Sequence, residues 1–62
     1  MEKLNEFGIQ RELIAIEEKL TDVRNSFSSY AAGDEVDEIK EFDEIINRIR
    51  ALQLEIREWF AP

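Results

Sequence analysis

Ile9, Leu13, Ile16, Leu20, Val23, Phe27 and Tyr30 follow one another at steps of 4, 3, 4, 3, 4 and 3, an apolar seam three heptads long. That spacing keeps every member on one side of an α-helix and on no single side of a strand. A second seam, Phe42, Ile45, Ile49, Leu52, Ile56 and Trp59, repeats the pattern at steps of 3, 4, 3, 4 and 3. Between them lies Ala31-Ala32-Gly33-Asp34, where glycine can take the left-handed conformation that closes a helix. So short a connection makes the two helices antiparallel neighbours. The expected fold is all-α: one helical-hairpin domain over 1–62, with a helix over about 2–31, a turn over 31–34 and a helix over about 35–60. Asp34 is expected to cap the second helix, and its acidic first turn suits the positive end of the macrodipole.

The second helix carries a further row, Ile39, Ile46, Gln53 and Phe60, at intervals of seven. The two rows together span an arc of roughly 160°, wider than one neighbouring helix covers. One side should meet the first helix. The row Ile39, Ile46, Gln53 and Phe60 is therefore assigned to the seam of a homodimer, in which two hairpins make a four-helix bundle. Gln53, the polar member, either pairs across that seam and fixes its register or lies at its solvent edge. Size argues the same way. A 62-residue chain buries only about 60% of its unfolded surface on folding, and domains this small lean on disulfides, a metal or self-association. With no cysteine and no histidine, the first is absent and structural zinc lacks its usual ligands; self-association remains.

The same two absences remove nucleophilic dyads and triads built on Ser/His or Cys/His. Neither a metal nor a cofactor is expected, and no catalytic residue is assigned. Glu17-Glu18 followed by Asp22 resembles, at one residue too wide a gap, the magnesium-holding acidic helices of all-α nucleotide pyrophosphohydrolases. On the helical wheel those acids fall on the outer face, so no enzyme is inferred. The start, Met1 to Glu6, is acidic and no apolar leader core follows it; nor is there a run of some 18 apolar residues. A soluble, cytoplasmic protein is the expectation.

Charge is unevenly spread. The net charge is −7, and the eleven residues from Asp34 to Glu44 hold seven acids against one base, Lys40, a net of −6. This tip, with Glu35, Asp37, Glu38, Glu41, Asp43 and Glu44 as its candidate binding residues, is either a solvated face or a surface that meets a basic partner. Direct nucleic-acid binding is not expected of so acidic a chain. At the opposite, open end of the hairpin Leu4 and Phe7 fall beside Trp59 and Phe60; these four either close the core there or dock a partner. Gly8, between Leu4/Phe7 and the first seam, is expected to let the leading residues kink.

The overall plan resembles that of plasmid-encoded RNA-binding hairpin dimers, which use a basic and polar face of their first helix. Here that face mixes Lys3, Arg11, Lys19 and Arg24 with Glu12, Glu17, Glu18 and Asp22, and the RNA function is not carried over. The leading expectation is a noncatalytic, homodimeric protein-binding hairpin: a small regulator or inhibitor, of the kind phages and mobile elements encode, that blocks a basic or nucleic-acid-binding surface. The alternative is an adaptor subunit that packs on a different chain through its second helix.

Overall fold

The computed structural model describes residues 3–34 and 36–62. It contains two helices and, among the described residues, no strand: α1, Glu6–Tyr30, and α2, Asp37–Phe60. They lie side by side as a hairpin measuring 46 × 23 × 13 Å. The smallest dimension is close to the diameter of one helix with its side chains, about 10–12 Å. The chain is a single layer.

α1 starts at Glu6 rather than near residue 2, because Asn5 caps it. The Asn5 side-chain Oδ1 accepts a 2.8 Å hydrogen bond from the Gly8 backbone N–H, and the Asn5 carbonyl accepts from Ile9 N–H at 2.9 Å. Gly8 therefore belongs to the first turn, not to a kink. A Cβ there would sit 3.2–3.3 Å from the Leu4 side chain and from Asn5 Oδ1, so the missing side chain is what lets the cap close tightly. Leu4 lies outside the helix and so need not share the face of the seam, whereas Phe7 lies within its first turn.

α1 ends at Ala31, whose N–H reaches Phe27 O at 3.1 Å. The reversal then uses two consecutive left-handed residues, Ala32 at φ +55° and Gly33 at φ +83°. Gly33 does the work assigned to it; Ala32 adopts the same region at the cost of crowding its Cβ. Asp34 does not cap α2. Its N–H instead donates to Ala31 O at 3.1 Å, closing the turn, and the cap position falls to Val36, which has no side-chain oxygen to offer. The N-terminus of α2 relies on Asp37 and Glu38 against the helix dipole. At the other end Ala61 is extended (φ −65°, ψ +143°), as the residue before Pro62 must be.

Packing follows a finer rule than the seams alone. Within the first seam, Leu13, Leu20 and Phe27 are half-buried against α2, while Ile16, Val23 and Tyr30 are exposed. In α2 the half-buried members are Ile39, Phe42, Ile49, Gln53 and Ile56, and among the described residues Ile46 alone of the apolar side chains is buried, at 6% exposure. Phe27 and Phe42 meet near the turn with ring centroids 6.0 Å apart. The row assigned to a dimer seam thus lies largely between the two helices of one chain. Ile46→Ala should destabilise the hairpin by about 2–3 kcal/mol, and Ala32→Gly should stabilise it by about 1 kcal/mol by relieving the left-handed alanine; thermal denaturation followed by circular dichroism checks both.

Candidate functional site

What rotates α2 into this setting is a set of polar contacts along one edge of the hairpin. Arg24 Nε donates to Asp43 Oδ1 at 2.9 Å, and Arg50 Nε to Glu17 Oε1 at 3.2 Å. Gln10 Nε2 donates to the Gln53 backbone carbonyl at 3.0 Å, and Gln53 Nε2 reaches Glu17 Oε1 at 3.4 Å. Through these two bonds Gln53 ties α2 to α1. These side chains come from Gln10, Glu17 and Arg24, seven apart on α1, and from Asp43, Arg50 and Gln53 at the matching heights of α2. One face of the layer is in this way closed by a polar ladder.

The other face is open and apolar. Ile16 and Val23 of α1 stand opposite Ile45 and Leu52 of α2, each between 42% and 51% exposed. Leu20 and Ile49 form the floor between the rows, and Lys19 lines the rim of the shallow groove they make with Ile16, Val23 and Ile45. Tyr30 and Trp59 extend the two rows to either end and are almost fully exposed. The exposed members, Ile16, Val23 and Tyr30 on one helix and Ile45, Leu52 and Trp59 on the other, recur at intervals of seven. Each set is a straight stripe along its helix. A stripe of this length is not the scattered exposure expected of single surface aliphatics.

The aromatic end is only partly a cluster. Leu4, Trp59 and Phe60, with Ile9, line one shallow hollow, and Trp59 meets Phe60 edge-on with centroids 5.3 Å apart. Phe7 lines no part of it and is 83% exposed. The acidic tip likewise divides. Glu35 lies outside the described residues. Asp37, Glu38, Glu41, Asp43 and Glu44 are all exposed, but Asp43 belongs to the ladder through Arg24. Glu38 and Glu41 stand at helical-neighbour spacing from Ile45 and continue its stripe to the tip, whereas Asp37 and Glu44 fall on the side away from α1. The acids therefore surround the tip rather than pave one side.

Among the described residues no group of acidic side chains is placed to hold a metal ion, and no helix is long and apolar enough to cross a membrane. Comparison with protein-family models, with curated proteins and with solved structures finds no match.

The open face lay in the seams, where Ile16, Val23, Ile45 and Leu52 counted as core; the polar partners opposite them decide which half of each seam turns inward. Because Arg24 and Asp43 are partly exposed, a double-mutant cycle with Arg24→Ala and Asp43→Ala should return a coupling of about 0.5 kcal/mol. That coupling should fade in high salt.

Proposed function

We propose that this chain is a noncatalytic protein-binding module: a small acidic homodimeric regulator or inhibitor, encoded by a phage or mobile element, that acts in the cytoplasm by blocking a basic or nucleic-acid-binding surface of a target protein. The observation that carries the reading is the uncovered apolar face of Ile16, Val23, Ile45 and Leu52. A layer one helix thick has no second layer of its own to bury that face, and domains are stable when two layers close over a shared core. A second hairpin supplies the layer. Self-association then leaves the tips outside the bundle core, where Glu38, Glu41 and Glu44 are exposed and, among the described residues, in no ion pair. Concentrated negative charge on a small end attracts a basic surface from a distance and competes with phosphate backbones for it.

The exposed ring of Trp59 beside Phe60 supports a second reading. Tryptophan is enriched among interface anchors, and an adaptor that packs on a different chain would use Trp59 together with Leu52 and Ile45.

Affinity capture with the wild-type chain and with the triple variant Glu38→Lys, Glu41→Lys and Glu44→Lys separates the two. Under the inhibitor reading, the wild type retains a basic or nucleic-acid-handling protein at low salt and releases it at high salt. The triple variant, equally helical by circular dichroism, loses it. A partner held equally by both chains and through high salt overturns the inhibitor reading in favour of the adaptor.

A further inference from the structure

Resting on the homodimer reading, we propose that the second copy seats on the Ile16/Val23/Ile45/Leu52 face in antiparallel orientation, so that the two acidic tips stand at opposite ends of the assembly.

Three features of the chain carry this. The first is area. The accessible surface is 5462 Å², whereas a compact folded chain of this mass would expose roughly 4200 Å². The excess is more than the ~800 Å² per partner that a stable interface needs, and the apolar stripes run along the open face for most of its length.

The second is symmetry. The Arg24–Asp43 and Arg50–Glu17 pairs fix which residues of the two helices stand at one height. By that register the midpoint of Ile16 and Val23 is level with the midpoint of Ile45 and Leu52. A two-fold axis crossing the face there, at Leu20 and Ile49, lays Ile16 on Val23 of the second copy and Ile45 on its Leu52. Each stripe is thus its own complement, as a closed two-fold interface requires.

The third is charge. Residues 34–44 carry a net −6 and the remainder of the chain −1. Hairpins with both turns at one end would set −6 beside −6, with Glu38 and Glu41 flanking the interface in both copies. The antiparallel arrangement sets each tip beside the nearly neutral open end of the other. Like-charge repulsion selects the antiparallel form.

The chain has no native cysteine, so a single Asp34→Cys substitution in the exposed turn takes one nitroxide label per copy. Sedimentation of the labelled chain should give a dimer, and electron–electron resonance should give a label separation of about 40 Å, set by the rise along the helices. A dimer with labels about 20 Å apart overturns the orientation while leaving the dimer standing. A monomer at all concentrations overturns the dimer itself. Leu52→Glu should raise the dimer dissociation constant at least a hundredfold, whereas Leu54→Glu, off the stripe on the ladder side, should leave it within threefold. A Leu52→Glu chain that dimerises like the wild type overturns the choice of face.

Discussion

Two helices side by side cannot enclose anything. Each seam residue has one neighbouring helix and open space beyond it, and this limit shapes the whole hairpin. Of thirteen seam side chains and the accompanying row on α2, only Ile46 is buried. The rest divide between a half-buried floor and an exposed rim. Hydrophobic stabilisation scales with area removed from water, so half-buried side chains contribute about half of what the same residues would give in a closed core. The polar ladder does not make up that difference, since exposed pairs contribute little each. It decides orientation instead.

That division also explains which features could be read from the residues alone. Helical periodicity and the turn at Gly33 are local properties, set by spacing and by φ, and they are plain in the sequence. So is the acidic first turn of α2. The rotation of α2 about its own axis is not local: Ile46 faces inward because Asp43, Arg50 and Gln53 beside it meet Arg24, Glu17 and Gln10. A pattern of apolar positions records how wide a face is and not which half of it turns toward the neighbour. The end effects divide similarly. Asn5 is a strong capping residue, and the start of α1 could have been placed by it, since the apolar seam begins only at Ile9. The left-handed Ala32 had no signal at all, because alanine, unlike glycine or asparagine, is not a residue that marks positive φ.

The two faces of the layer behave differently toward solvent conditions. Ion pairs on the ladder face weaken with added salt, while apolar burial on the open face strengthens with excluded salts such as sulfate. The acids gathered at the tip lie on the turn and the first turns of α2, and repel one another along that segment at low ionic strength. Salt therefore eases repulsion along the first turns of α2 while loosening the ladder edge.

The turn sets a direction as well as a topology. Contacts between the helices that lie near it, such as Phe27 with Phe42, close short loops; those farther from it, such as Gln10 with Gln53, close most of the chain. Loop closure costs more entropy as the loop lengthens. The hairpin should accordingly zip from Ala32 and Gly33 outward, and fray from the aromatic end inward. Amide protection should then fall steadily along both helices with distance from the turn, making the end that displays Trp59 the first part of the chain to open.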